Sequence, residues 1–440
     1  MLFRSSGALQ LRASEQTVRR GYQMSYLSTQ AEAPTDDFAP IIDSLRNALN
    51  PARWPDDRNR IQEVALKGSG SYSPSPRHHL TAAARVSRLS SRFRLGNRFF
   101  RPMMFEGTRW HVTGYVRDVF SLDTGTTLNA GTRLTYIPAR TTLYAEPRVV
   151  LRHEGNRPSL GDYALRAAGG IYRQFVNRFE VSSTSPTSIL PSLRFWMPTT
   201  QTHAPPRAYH LTLSGQVQPR DRWTITAESY LKHYPHLLAL DYTAFQGDRS
   251  ARVALSDAIA ATHGYATGLG VAVARKGPVV ESTLRYDWTR ARRQFPARFD
   301  GRLVPPPWTQ PHRVQGTIRL NTDLGLDLRL HGTYASGQSW GFRRTYYDYL
   351  GTRDASPLPG TPSFERPGRN TLASSLRVDA GAAYSLTLGP ATVEARLTVA
   401  NVLDHQNPFD WSLMPSQNAP ARTTRRLPGR RLTGSLNIRY

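Results

Sequence analysis

Hydrophobicity in this chain alternates with a period of two, and few patterns restrict a fold so tightly. Successive side chains of a strand point to opposite faces, so alternation means strands with one oily and one wet side. From Leu324, the residues Leu324, Leu326, Leu328, Leu330, Gly332 and Tyr334 share one face, and Asp327, Arg329, His331 and Thr333 the other. Val393, Ala395, Leu397 and Val399 oppose Glu394, Arg396 and Thr398. Leu143, Ala145, Pro147, Val149 and Leu151 oppose Tyr144, Glu146, Arg148 and Arg152. The last residues set Leu432, Leu436, Ile438 and Tyr440 against Thr433, Asn437 and Arg439. Such segments amount to about sixteen strands of roughly 10 to 15 residues, longer than typical soluble strands and long enough to cross a bilayer at a tilt.

The connections alternate in length. Short turns are expected at 73–76, 122–125, 219–221, 276–278, 322–325 and 388–390. Between them lie long loops rich in proline, arginine and aromatic residues, at about 29–59, 95–107, 178–205, 236–262, 294–309, 339–371 and 406–426. One connection, Ile137 to Arg140, is short on the side where the long loops sit. Tight turns at one end and long loops at the other are the asymmetry of an outer-membrane barrel, with the turns and the C-terminus on the periplasmic side.

Composition supports strands over helices as the spanning elements. The 440 residues are 39% hydrophobic, and no window offers the run of about 20 apolar residues that a spanning helix needs. Lysine and arginine total 57 against 32 acids, a net charge of +25. Lys67, Lys232 and Lys276 are the only lysines, so the positive charge is almost all arginine. A soluble basic β protein that binds nucleic acid is one alternative, but its basic residues would cluster on one patch, and here they are spread end to end. A soluble sandwich would also need central strands apolar on both faces. A barrel needs none: lipid covers its outside, water or a plug fills its inside, and closure pairs every backbone group. The arginines are therefore expected to face inward. No cysteine is present, which removes thiolate metal sites and cysteine nucleophiles. No spacing singles out a serine, histidine and acid triad, and no glycine-rich phosphate loop opens a helix, so no enzyme and no cofactor are expected.

Nine separated stretches, in order, resemble the C-terminal part of TonB-dependent receptors. TGYVRDVFSLDTGTTLNAGTRLTY (113–136) looks like that family's strand pair, with Arg117 where a glutamine is usual; YAEPRVVLRH (144–153) is similar to its Glu-Pro-Arg strand. YHLTLSGQ with WTITAESYLKHYPHLLALD (209–241), HGYATGLGVAV (263–273), PHR (311–313) and YASGQSW (334–340) follow. LRVDAGAAYSL (376–386), LTVANVLDHQNPF (397–409) and LPGRRLTGSLNIRY (427–440) resemble the last three strands. The resemblance implies an all-β, antiparallel transmembrane barrel, with about sixteen strands visible of a probable 22 and no plug domain in this chain. Residues 1–59 are expected to supply one or two strands and a long external loop, and residues 60–440 the barrel. No signal peptide and no TonB-contacting box are found, so a truncated receptor is expected, with a plugless passive channel as the alternative. The resemblance implies the bacterial outer membrane, a scarce ligand such as a metal chelate or oligomeric nutrient, and energy from the TonB complex where a plug lies upstream. Tyr440 looks like the terminal aromatic signal read by the barrel-assembly machinery.

Candidate ligand contacts are the loop aromatics Trp196, Trp308, Trp340, Tyr346, Tyr347 and Trp411, because broad rings on loops of a rigid frame suit ligand capture. An aromatic belt at the membrane surface is the plainer reading for those near strand ends. Candidate lumen residues are Glu228, Lys232, Arg329, His331, Glu394 and Arg396. Acid and base among them are expected to pair across neighbouring strands, and the arginine-rich interior to favour an anionic ligand. Adjacent His78 and His79 point to opposite faces and cannot share a metal ion, and the acid pairs Asp36–Asp37 and Asp56–Asp57 lack a fuller calcium ligand set.

Overall fold

In the computed structural model, the described residues are 5–19, 58–95, 103–180, 194–240, 256–295, 301–306, 309–322, 324–340, 370–414 and 421–439. The alternating segments are strands throughout. They begin with β1 Ser5–Arg19, β2 Arg58–Ser75, β3 His78–Leu95, β4 Met103–Ser121, β5 Thr126–Ile137, β6 Thr142–Arg157 and β7 Gly161–Arg173. A short pair follows, β8 Val176–Glu180 and β9 Arg194–Pro198. Then come β10 Arg207–Arg220, β11 Trp223–Leu240, β12 Ile259–Lys276, β13 Val280–Arg293, β14 His312–Asn321 and β15 Leu326–Ala335. The chain ends with β16 Ser339–Trp340, β17 Asn370–Thr371, β18 Ser375–Leu388, β19 Ala391–Ala400, β20 Pro408–Met414, β21 Ala421–Arg426 and β22 Arg431–Arg439.

Sixteen of these form one antiparallel sheet in chain order, from β1 to β22, as the alternation led us to expect. The other six make three small hairpins, β8–β9, β16–β17 and β20–β21, each set inside a long connection. Periodicity alone does not find them, because their strands are only 2 to 7 residues long. The turn Arg157 to Gly161 between β6 and β7 is a further short connection, unanticipated although it completes the alternation. Gly161 there has φ +65°, and an added Cβ would lie 1.8 Å from the Gln218 carbonyl oxygen of β10. Gly161→Ala is expected to destabilise the sheet by about 1–3 kcal/mol, the range for a strained backbone position. The check is the urea midpoint for loss of the compact, heat-modifiable form.

The packing is inside out. Leu211, Leu213, Leu231, Leu269, Leu284, Ile318, Leu330, Leu397 and Leu436 are all exposed on the protein surface. Aromatic residues bound this apolar face at both ends, with Trp110, Tyr136, Tyr209 and Tyr334 toward the loops and Tyr72, Trp223 and Tyr384 toward the turns. Tyr384 pairs with Leu326 and Tyr334 with Leu376, so eight residues separate these rows on β15. At about 3.4 Å per residue and a tilt near 40°, they bound a band of about 20 Å, comparable with the apolar girdle of outer-membrane barrels. No helix of the described residues is long and apolar enough to cross a membrane.

The polar face is the concave one. On β3, Val86 is exposed whereas Ser87, Leu89, Ser91 and Phe93 are buried, and β9 packs against β2 and β3 while β8 reaches β11. Strands β3 and β11 are six steps apart in the sheet order, about 29 Å along it at about 4.8 Å per strand. One small hairpin touches both because the sheet curls around it. Ser87 and Ser91 share their face with Arg85, which bonds Glu63 of β2 at 2.6 Å, so the charged side lines the inside.

Candidate functional site

Strand β12 shapes the charged wall near its middle. Glu228 on β11 is in register with Gly270, and Gly270 with Asp287 on β13. A Cβ on Gly270 would lie 2.9 Å from Asp287 Oδ1 and 3.1 Å from both Arg285 Nη2 and Glu228 Cγ. The absent side chain leaves room for Arg285 to donate to Glu228 at 2.5 Å and, through Nε, to Asp287 at 2.9 Å. Two residues away the device repeats: Tyr230 lies over Gly268 and points its hydroxyl at Thr289, 3.4 Å off. Lys232 Nζ sits 4.9 Å from the centre of the Tyr230 ring. The pairing of Glu228 thus spans two strand steps, not one. Because Arg285 and Glu228 keep 40% and 50% of their side-chain surface, Arg285→Ala is expected to cost only about 0.5–1 kcal/mol in urea unfolding.

The remaining lumen candidates pair close to home. Arg329 bonds Asp327 on its own strand at 2.8 Å, and Arg319 of β14 shares that carboxylate, also at 2.8 Å. His331 contacts Thr317 Oγ1 at 3.1 Å and Thr333 Oγ1 at 3.2 Å. Glu394 and Arg396 pair with each other at 2.6 Å along one strand, where pairing across strands was expected. The i, i+2 spacing puts both on one face of a strand, close enough for an arginine fork to fold back.

Among the aromatic candidates, Trp196 lies on β9, half-buried, with Arg178 of β8 5.8 Å from its ring centre. Trp340 and Trp411 fall in β16 and β20, where only the backbone is described. Trp308, Tyr346, Tyr347 and Tyr440, with Asp36, Asp37, Asp56 and Asp57, lie outside the described residues. His78 bonds Asp118 at 2.7 Å and His79 contacts Ser73 Oγ, so the two rings go separate ways. No group of metal-ligating side chains gathers among the described residues.

The most built part of the interior is at the loop-bearing end of β5, β6, β7, β10 and β11. Glu146 is 1% exposed. It accepts the Arg173 backbone N–H at 2.9 Å and faces Arg148 Nη2 at 3.4 Å and Arg133 Nε at 3.5 Å. Arg148 lies over the Tyr172 ring at 4.5 Å, Tyr172 stacks on His210 at 4.4 Å, and His210 meets Tyr234 edge-on at 6.2 Å. Phe175, just past β7, packs with Ile137 and Tyr144, and Arg133 approaches its ring at 5.7 Å. The result is a band of guanidinium groups and ring faces around one buried carboxylate, suited to an anionic or planar aromatic group. Alternation placed Tyr144, Glu146 and Arg148 on the wet face; their convergence with Tyr172 and His210 depends on strand register, which one sequence does not encode locally.

No protein-family model matches the sequence, and no curated protein aligns with it. Solved structures do. A variant of the ferric enterobactin receptor PfeA from Pseudomonas aeruginosa superimposes with a TM-score of 0.62 at 12% identity, over 99% of this chain and 59% of that one. The siderophore receptor PirA from Acinetobacter baumannii gives 0.57 at 12% identity, over 87% and 56%. The outer membrane transporter YddB from Escherichia coli gives 0.55 at 11%, over 87% and 54%. The fold is that of a TonB-dependent receptor barrel. At such identities the likeness is one of fold, and this chain spans between half and three-fifths of these three proteins. Of the strands that carry the Glu146 band, β5, β6, β10 and β11 overlap stretches that bear the family resemblance, 113–136, 144–153 and 209–241, whereas β7 with Tyr172 and Arg173 lies outside them.

Proposed function

We propose that this chain is the wall of an outer-membrane receptor of the TonB-dependent kind, which as a complete protein takes up a scarce ligand such as a metal chelate or an oligomeric nutrient. The carrying observation is the inverted packing, with leucine and aromatic residues exposed outside and a charged face turned inward. A soluble nucleic-acid binder would leave that outer face in water, where patches of this size drive aggregation. The arginine and ring band around Glu146 supports an anionic or chelated ligand, since fixed positive charge in a cleft concentrates anions. The lumen candidates Glu228, Lys232, Arg329, His331, Glu394 and Arg396 would then line the path, and the loop aromatics would meet the ligand first. Residues 1–59 would contribute the first strand and an external loop to the wall formed by 60–440. The outer-membrane lipid is the solvent of the apolar face, the assembly machinery reads Tyr440, and the TonB complex supplies energy where a plug precedes the wall.

The test is uptake by cells carrying the complete gene, with and without an energised inner membrane. Ligand-specific uptake that stops on de-energising supports the receptor. Steady ion conductance through the purified chain in planar bilayers, without any energy source, would favour the passive channel.

A further inference from the structure

The one short connection at the loop-bearing end has its explanation across the mouth. Residues 138–140 form a single 3-10 turn closed by Thr141 at φ +49°, a left-handed conformation that a β-branched residue adopts at a cost. This turn aims Arg140. Its Nη1 faces the carbonyl oxygens of Thr200 at 2.8 Å, His203 at 3.0 Å and Gln201, while its Nε donates to Tyr144 Oη at 3.0 Å. Those carbonyls belong to the return segment of the β8–β9 hairpin, the element that lies inside the curl of the sheet. The Thr199 N–H and hydroxyl both donate to the Phe175 carbonyl, and His236 bonds the Ala204 carbonyl at 3.0 Å.

The seat beneath the hairpin is built differently from the ladders of the wall. Among the described residues no backbone ladder joins β8 or β9 to β2, β3 or β11. The Ser91 hydroxyl reaches the Trp196 carbonyl at a long 3.5 Å. His111 Nε2 on the wall and Asn177 Nδ2 on the hairpin are buried and have no hydrogen-bond partner among the described residues. Buried polar atoms left unpaired weigh against the docked state, since lifting the hairpin would hydrate them. Charge-assisted bonds from Arg140 weigh the other way.

We propose that the paired strands Val176–Glu180 and Arg194–Pro198, with the return segment 199–206, form an internal strap across the concave face of the sheet at its loop-bearing end, and that Arg140 is its latch. The strap covers that part of the concave face when docked and leaves it when the Arg140 contacts break. Its docking is a property of this wall, and it holds whether the barrel is an energised receptor or an open channel. The short connection is then a device for presenting one guanidinium, because a long loop would not fix its position.

The chain has no cysteine, so paired cysteines report proximity directly in the full-length protein in membranes. Ser91→Cys with Trp196→Cys joins strap to wall. Gln315→Cys with Thr333→Cys, directly opposite each other on β14 and β15 and away from the strap, reports only that the wall has formed. Both pairs are expected to form disulfides under mild oxidation. Arg140→Ala is expected to slow the strap disulfide about tenfold and leave the wall disulfide unchanged, since a lost charge-assisted bond is worth roughly a factor of ten in population. A strap pair that stays reduced while the wall pair closes would overturn the strap. A strap disulfide whose rate ignores Arg140→Ala would overturn the latch. Where Arg140→Ala prevents the wall pair from closing, Arg140→Gln carries the same comparison.

Discussion

Leu213→Lys is expected to destabilise the folded wall by about 2–4 kcal/mol, the cost of a lysine or arginine near the bilayer midplane on the lipid side. Leu213 is 51% exposed, lies four residues inward from the Tyr209 belt, and pairs with Ser229 and Ala167 on the neighbouring strands. Its chain neighbour Ser214 is in register with Glu228 and shares that residue's inner face. Ser214→Lys therefore meets water and a carboxylate, and is expected to change stability by less than about 0.5 kcal/mol. The two substitutions add the same charge one residue apart, so their contrast isolates the face. Urea unfolding of barrels in lipid vesicles, followed by gel mobility, measures both. Equal effects would remove the membrane-facing assignment and with it the outer-membrane reading.

That contrast was legible in the sequence because alternation is a one-dimensional signal. Leu143, Val149 and Leu151 against Tyr144, Glu146 and Arg148 need only the rule that neighbours on a strand point opposite ways. The hairpin neighbours followed from turn lengths for a similar reason, since a tight turn forces neighbours in sequence to be neighbours in space, whereas the pairings across the long connections came from the structure. What stayed hidden depends on distances across the curled sheet. The reach of Arg285 over Gly270 to Glu228 needs the registers of three strands at once. The seat of the strap left a trace that reads as noise locally: Leu89 and Phe93 fall on a face otherwise bearing Arg85, Ser87 and Ser91. Apolar residues at inward positions of a barrel strand mark something packed inside. The short connection at Arg140 was the other trace, visible as an exception to the loop pattern but without a partner until residues 199–204 came into place.

Glu146→Ala is expected to lower stability by about 3 kcal/mol, toward the lower end of the range for breaking a buried ion pair. Glu146 is 1% exposed, whereas Arg133 and Arg148 keep 37% and 40% of their side-chain surface. The arginines can rehydrate when the acid is gone, which trims the penalty, but the Arg173 backbone N–H loses its acceptor and the cations are left to repel one another. Glu146→Gln keeps an acceptor for that N–H and removes only the charge, so its cost is expected to be about half as large. If the repulsion is what matters, Arg133→Met in the Glu146→Ala background recovers part of the loss, giving a coupling of about 1 kcal/mol or more in a double-mutant cycle. The same acid replaced in the open lumen has a much smaller consequence, because Glu228 keeps half of its side-chain surface. Should Glu146→Ala prove as mild as Glu228→Ala, the loop-bearing end would be as wet as the middle of the wall, and the packed mouth on which the arginine band and the strap both depend would not exist in solution.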